Sequence, residues 1–416
     1  MATSTQQRAQ QRSTQSNQFN QTTSGEQQQQ QQQELIKSRD GMKTNNNDDQ
    51  GEDKLINKLV IVENIDKSGS SIRKPQKLGF YSLEINALTH NRKYMPDKSQ
   101  LKYLSIDNLN NLHFDLNAGY RSDIQWGTDE VTLRDFLRWI LENRNKFVVG
   151  KQVPSVHNLN TDFISYRGVL TRVMLTPYEM KQDWMLIAIK YSNAIYLHSI
   201  KTDAKRLEEE NVTEHMNKMS FSGHRFEEYV CRGTEESNEP RLEDGKTSQF
   251  CLVMRTRIKE HSLVYAAEMD CVETKSELVA PLPNLKFLEV KTTASFDRKH
   301  QYDTFCRYKA SKWWAQSYLG DVETIVVGFR DQDNFVRRAT RMKNSGLPSL
   351  SDSWSPQVCI NFLYKFLSFV KSCVSDEMIC YRFYCSPNQE ISCSLSDLPA
   401  ENFMPSWYLN ETQPSP

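Results

Sequence analysis

The spacing of hydrophobic and polar positions changes along this chain, and the changes divide it into elements. Leu133, Phe136, Leu137, Ile140 and Leu141 fall on one stripe, the repeat of an amphipathic helix, with Thr132 as the expected cap and Asp135 near the amino end. Residues 184–200 read as two β-rich runs joined through Ser192-Asn193, a hairpin. A short helix is predicted over 225–231. Strands are predicted at 250–258, 263–271 and 286–292, the first two pairing around Lys259-Glu260-His261. Residues 302–319 have a helical pattern that stops at Gly320, a normal carboxyl-terminal cap. Residues 323–330 and 335–341 predict another hairpin. Residues 357–374 predict a long helix with Val358, Phe362, Phe366, Phe369 and Cys373 on its core face. Short strands near 379–385 and 391–395 close the pattern. Hairpins with interspersed helices predict an α+β fold: mixed and antiparallel β-sheets flanked by helices, not a doubly wound parallel sheet.

Composition divides the chain further. Residues 1–52 are crowded with Gln, Asn, Ser and Thr, with an unbroken run from Gln27 to Gln33 and almost no aliphatic side chain. Such a segment buries too little apolar surface to offset the entropy of ordering it, and disorder is expected. Residues 53–410 contain no linker, charge run or repeat, and one large domain is the economical reading; 411–416 are a short tail. Lysine plus arginine and aspartate plus glutamate stand at 52 each among 416 residues, so no global positive field exists and any nucleic acid must be met in a local groove. No window approaches the length of apolar residues that spans a bilayer, and no signal pattern opens the chain; a soluble intracellular protein without a membrane partner is expected. Nine cysteines without a C-x-x-C pair suggest neither a disulfide framework nor a zinc site; Cys359, Cys373, Cys380, Cys385 and Cys393 read as small buried hydrophobes.

Two short motifs carry candidate chemistry. In Ala266-Ala267-Glu268-Met269-Asp270-Cys271, period-two strand geometry puts Glu268 and Asp270 on one face and Ala267, Met269 and Cys271 on the other. In Phe287-Leu288-Glu289-Val290-Lys291, Glu289 and Lys291 share a face in the same way. If these strands are neighbours in one sheet, three carboxylates and an ammonium converge, a hard-oxygen set suited to Mg2+ or Mn2+. The lysine then orients or deprotonates a water and stabilises charge on phosphorus. Either motif alone reads equally as an exposed strand face with a salt bridge. Their combination resembles the acid–acid–x–lysine core of restriction-endonuclease-like nucleases.

Further residues sharpen the resemblance. Gly223-His224-Arg225-Phe226-Glu227 offers a fourth acid from a helix. Ser165-Tyr166-Arg167-Gly168 supplies an arginine beside an aromatic, and Lys312-Trp313-Trp314-Ala315-Gln316-Ser317 follows on another helix. In this order the motifs resemble the DXO family of decapping and exoribonuclease enzymes. The likeness extends over residues 119–408, including Leu175-Thr176-Pro177-Tyr178-Glu179 and Val326-Val327-Gly328-Phe329-Arg330.

Residue by residue, the resemblance implies that Glu227, Glu268, Asp270 and Glu289, with the main-chain carbonyl of Val290, surround Mg2+ or Mn2+, two ions in all. Lys291 and Gln316 would hold the scissile phosphate or its water. Tyr166, Arg167 and Gly168 would grip the RNA 5′ end, with Cys251 beside the nucleotide. The implied function is metal-dependent hydrolysis at RNA 5′ ends. It covers removal of an unmethylated guanosine cap, an NAD cap or 5′ pyrophosphate, together with 5′→3′ exoribonuclease activity. A nuclear setting, or a cytoplasmic one, and a partner 5′→3′ exonuclease are also implied. The competing reading is an inactive relative that binds RNA 5′ ends or recruits partners; it predicts gaps among the acids, and the sequence has none. A DNA endonuclease of the same core is a third reading, disfavoured by the Arg167 and Gln316 motifs. Arg255-Thr256-Arg257 and Arg337-Arg338 fit an RNA groove or solvated strand faces equally well. Trp313 and Trp314 read as core.

Overall fold

Two β-sheets and the helices that cover them make up the structure, a computed structural model that describes residues 55–61, 69–126, 132–147, 158–179, 181–233, 242–387 and 390–411. The glutamine-rich segment and residues 412–416 lie outside the described residues. The chain begins with β1 (Leu55–Val60), β2 (Gln76–Asn86), β3 (Asn91–Met95), β4 (Tyr103–Leu104) and β5 (Asn110–Asp115). Then come α1 (Arg134–Glu142), β6 (Phe163–Tyr166), α2 (Arg167–Leu175), β7 (Trp184–Tyr191), β8 (Ala194–Ile200), α3 (Asp203–Glu210), α4 (Glu214–Val230) and β9 (Cys231–Arg232). The long strands β10 (Lys246–Ile258) and β11 (His261–Met269) lead to β12 (Cys271–Val272) and β13 (Phe287–Ala294). The remaining elements are α5 (Lys299–Thr304), α6 (Ala310–Gly320), β14 (Thr324–Arg330), β15 (Phe335–Lys343), α7 (Pro356–Cys373), β16 (Cys380–Cys385), β17 (Glu390–Leu395) and α8 (Ser406–Leu409).

The larger sheet runs β1-β17-β16-β7-β8-β6-β11-β10-β2-β3, and the smaller runs β5-β15-β14-β13-β12-β4-β9. Both mix parallel and antiparallel pairs, as an α+β fold requires. Burial alternates with the strand period. Leu252 and Met254 of β10 enter the main core with α2, α6 and α7, while Cys251 and Val253 enter a second core with α1. All nine cysteines are buried and free, as small hydrophobes. Among the described residues no helix is long and apolar enough to cross a membrane.

Several local expectations need correction. Thr132 does not cap α1: Leu133 occupies the cap position without a side-chain hydrogen bond, and the Thr132 carbonyl instead accepts from the Tyr166 hydroxyl. The helix expected at 225–231 is the last part of α4, which begins eleven residues earlier under a Thr213 cap whose oxygen accepts from Met216 N–H. Its polar early turns hid it from a periodicity reading. The helix expected at 302–319 is broken into α5, a π-helical turn at Phe305–Lys309, and α6. Gly320 is the last helical residue of α6, and Asp321 takes the left-handed cap with φ 53°. The strand expected at 263–271 is two strands: β11 ends at Met269 in the larger sheet, and β12 begins at Cys271 in the smaller. Asp270 is the joint between them.

Candidate active site

The joint at Asp270 positions the chemistry. Strand β11 continues the larger sheet, so Glu268 shares the face of Val264 and Ala266 and lies beside Cys251, its direct cross-strand partner, but with its own side chain exposed near the end of the strand. One residue later the chain enters the smaller sheet, where Cys271 pairs with Leu288 of β13. The two motifs are thus adjacent through β12, not through β11 and β13 as neighbours in one sheet. Leu288 and Val290 bury their side chains in a third core beneath α4, which leaves Glu289 and Lys291 on the opposite face. Cys271 joins that third core, while Ala267 and Met269 join the main one.

Helix α4 brings the fourth acid. It packs against β13, and Phe226 lies against Gly328 of β14 so closely that a Cβ there would be 2.6 Å from the ring. The next residue, Glu227, lines one hollow with Glu268, Asp270, Gln100, Lys102, Ser248, Gln249 and Phe250. A hollow at the sheet edge, between Glu84, Asn86, Asn91, Lys93 and Lys246, gathers no comparable set of acids.

Two cations lie among these carboxylates. Lys291 Nζ is 2.5 Å from Glu289 Oε2 and 3.3 Å from Asp270 Oδ2. Asp270 Oδ2 also accepts from the Val290 N–H at 2.6 Å. Arg167, the first residue of α2, donates from Nη1 to Glu289 Oε1 at 2.5 Å. Burial opposes the ionised form of Glu289, but Lys291 and Arg167 outweigh it and hold the carboxyl below its usual range. The other three acids go the opposite way. Burial, then Asp270, raises Glu227 well above its usual value, and the same two causes push Glu268 up to about 7. Burial followed by Glu289 raises Asp270 against the pull of Lys291. Lys291 is held protonated: desolvation by burial is exceeded by Asp270, Glu289 and Glu227.

Four carboxylates therefore share one site with two fixed cations, and three of them are strained in their ionised form. The donors are hard oxygens, and their repulsion would be relieved by a divalent cation, so the residues fit one in chemistry. Among the described residues no three acidic, histidine or cysteine side chains already form a metal cage. The Lys291 ammonium lies between Asp270 and Glu289, and side-chain rotation must complete any ligand shell.

The remaining sequence candidates take distinct places. Tyr166, half-buried, ends β6 with its ring 6.0 Å from that of Phe136. Gly168 is exposed, with open space where a Cβ would project. Cys251 is buried, and its thiol is raised by that burial and by Glu268. Gln316 is half-buried on α6, whose last residue, Gly320, lies beside Arg167. Trp313 and Trp314 are core, packed on Phe305 and Trp354. Arg255 stacks over Phe147 and donates to the Leu159 carbonyl, while Arg337 pairs with Asp331 and Arg338 lies over Phe329.

Sequence reasoning missed Gln100, Lys102, Ser248 and Gln249, which carry no motif. It also missed the pair between Arg92 of β3 and Asp135 of α1, 2.9 Å apart. Asp135 lies close enough to Tyr166 to help raise its pKa after burial, and Arg92 opposes that shift. Cys251 feels the same pair. An ion pair, an aromatic ring and a thiol thus wall the side of the site next to Glu268.

A strand joint bearing acids, followed by E-x-K on the adjacent strand, defines the restriction-endonuclease-like class of nuclease. A family model described as RAI1 like PD-(D/E)XK nuclease matches residues 73–409, and the chain belongs to that family. It is 30% identical over 351 residues to a Decapping and exoribonuclease protein of Xenopus laevis, covering 81% of this chain and 86% of the relative. The fold is also that of Scheffersomyces stipitis Rai1, solved with (3′-NADP)+ and calcium: TM-score 0.67, 18% identity, 86% of this chain and 99% of that one. Candida albicans Rai1, solved with pU5 and Mn2+, gives a TM-score of 0.62 at 20% identity over 79% of this chain and 91% of that one. Nucleases of this class use divalent cations.

Proposed function

We propose that the chain hydrolyses phosphate linkages at RNA 5′ ends, releasing incomplete or noncanonical caps and 5′ pyrophosphate and then trimming the strand 5′→3′. The observation that carries this reading is the convergence of Glu227, Glu268, Asp270, Glu289 and Lys291 in a chain of this family. The names of relatives support the reaction class, and the cap-like dinucleotide and pU5 in the Rai1 structures support the substrate class.

Glu227, Glu268, Asp270, Glu289 and the Val290 carbonyl would hold Mg2+ or Mn2+. When bound, the cation would supply Lewis acidity and lower the pKa of a coordinated water, easing its conversion to the attacking hydroxide. Four carboxylates against one ammonium and one guanidinium leave two negative charges, and the substrate phosphate adds more, which favours two ions over one. Lys291, kept protonated by its acidic neighbours, donates to a phosphate oxygen as charge builds there. Arg167 fixes the orientation of Glu289 and closes the site on its α2 side. Gln316 would position the phosphate or its attacking water from α6. Tyr166, Gly168 and Cys251, walled by Arg92 and Asp135, offer an aromatic face and open space for the first nucleotide or cap.

The test is a panel of RNAs identical except for the 5′ end, incubated with the purified protein and Mg2+ or Mn2+, with released products identified. A capped, NAD-capped or triphosphate end should be processed, and a circular RNA of the same sequence should resist. Rapid cutting of the circle would replace this reading with an endonuclease.

A further inference from the structure

Glu227 differs from Glu289 and Asp270 in what holds it. Lys291 and Arg167 fix Glu289, and Lys291 with the Val290 N–H fixes Asp270. The Glu227 carboxylate takes no hydrogen bond or ion pair among the described residues. Its place in the hollow is therefore set by where α4 lies.

The face of α4 turned away from Glu227 is built to hold the helix. Asn217, Phe221, Arg225 and Tyr229 recur every four residues and form one stripe along it. Residues 115–126 cross that stripe as a strap. Tyr229 Oη donates to the Asp115 carbonyl at 3.1 Å, and Arg225 Nε to the Ala118 carbonyl at 2.7 Å. Further along, Asn217 Nδ2 donates to the Ile124 carbonyl at 2.7 Å, and Asn217 Oδ1 accepts from Trp126 N–H at 2.8 Å. Phe221 packs with Ile124, Trp126 and Leu242 in a small core of its own.

Arg225 is the charged member of the stripe. It is buried, its Nη1 pairs with Glu228, and its Nη2 lies 2.5 Å from Glu243 Oε1. The Glu243 carbonyl accepts in turn from Arg121 of the strap at 3.0 Å. Gly119, at φ 77°, passes where any Cβ would meet the Arg225 guanidinium. One side chain thus joins the strap, the helix and the 3-10 turn Leu242–Asp244. Two residues along a helix is a rotation of about 200°, so the clamp grips α4 almost diametrically opposite Glu227. On the flank between them, Phe226 and Val230 pack in the third core with Leu288 and Val290. Apolar packing is non-directional, whereas charge-assisted hydrogen bonds fix an angle and a register.

We propose that Arg225 is a positioning residue for metal binding: held by Ala118, Glu228 and Glu243, it fixes the rotation and register of α4 and so the reach of Glu227 into the acid cluster. The inference rests on the reading of Glu227 as a metal ligand. It adds that this ligand is placed from behind, through its helix.

The test is Mn2+ affinity by calorimetry on the full-length protein without RNA, in a double-mutant cycle of Arg225→Met and Glu227→Gln. Each single variant should weaken Mn2+ binding about tenfold, the scale at which groups supporting a metal ligand act. In the Glu227→Gln background, Arg225→Met should change affinity by less than about twofold, because the ligand it places is already gone. Arg225→Lys should recover part of the loss. Glu243→Gln removes one arm of the clamp and should give the same pattern with a smaller loss; it decides the matter if Arg225→Met fails to fold. Equal losses in both backgrounds would show that Arg225 supports the fold at large, and would overturn the positioning role. So would an unchanged affinity in Arg225→Met while Glu227→Gln weakens binding. If Glu227→Gln itself leaves Mn2+ affinity unchanged, the ligand assignment falls and the positioning role falls with it.

Discussion

Arg167 and Glu289, 122 positions apart in the chain, meet with 2.5 Å between Nη1 and Oε1, and both side chains are almost wholly buried. Glu289 is thus gripped from α2 by Arg167 and from its own strand by Lys291. An arginine expected from the sequence to hold RNA is, in the folded chain, a partner of a proposed metal ligand. Any hold it has on RNA is shared with that carboxylate.

Removing Arg167 should therefore damage the fold as well as the reaction. Arg167→Met leaves Glu289 with one cation fewer in a buried setting, and loss of one partner from such a pair costs about 3–5 kcal/mol. Urea unfolding should show that loss, and Arg167→Met with Glu289→Leu should recover part of it. A single variant as stable as wild type would show that the pair contributes nothing to the fold.

Glu268 and Asp270 should separate catalysis from folding differently. Glu268→Ala with Asp270→Asn should reduce turnover roughly a thousandfold or more, the scale expected when an oriented metal is lost. Asparagine at 270 keeps an acceptor for the Val290 N–H, which alanine would strand. RNA affinity measured on the same protein should persist. Undiminished hydrolysis would move the active site elsewhere.

The pH response follows from Glu268. Its folded pKa, about 7, lies above the ordinary value because of burial and Asp270, so the folded metal-free protein binds more protons than the unfolded chain between about 4.5 and 7. This contribution to metal-free stability is present below the unfolded pKa and is lost as pH rises through 7. Metal binding has the opposite sign, since the cation needs the carboxylate: its affinity should weaken about tenfold per pH unit for each proton displaced below 7. Calorimetric titration with Mn2+ at pH 6 and 8 checks this, and equal affinities would contradict it. Glu268→Ala should flatten the corresponding slope in melting temperature of the metal-free protein.

Gly328 offers a test remote from the acids. Gly328→Ala places a methyl 2.6 Å from the Phe226 ring, and overpacking of this kind costs about 1–3 kcal/mol. Since Phe226 precedes Glu227 on α4, the strain should displace that carboxylate and lower kcat more than RNA affinity. Crystallography or hydrogen exchange on α4 would report the shift; unaltered kcat with unaltered exchange would show that the contact yields freely.

Much of the fold was legible because its signals are local. The Ser192-Asn193 hairpin, the hairpin of β14 and β15, and the apolar stripe of α7 each follow from periods of two or 3.6 within a few turns of chain. The choice of acids was legible too, since E-x-D and E-x-K set side chains on common faces and the motif order matched a family. Relationships without a fixed sequence separation were not. The assignment of β11 and β12 to different sheets turns on a single residue, Asp270, and nothing in its neighbours encodes it. The meeting of Arg167 with Glu289 and the Arg92–Asp135 pair depend on helices packing against sheets over long stretches of chain. Local sequence specifies which groups are present and which way they face on each element. Charge pairing and desolvation act over a few ångströms, so only packing of distant segments decides which groups meet.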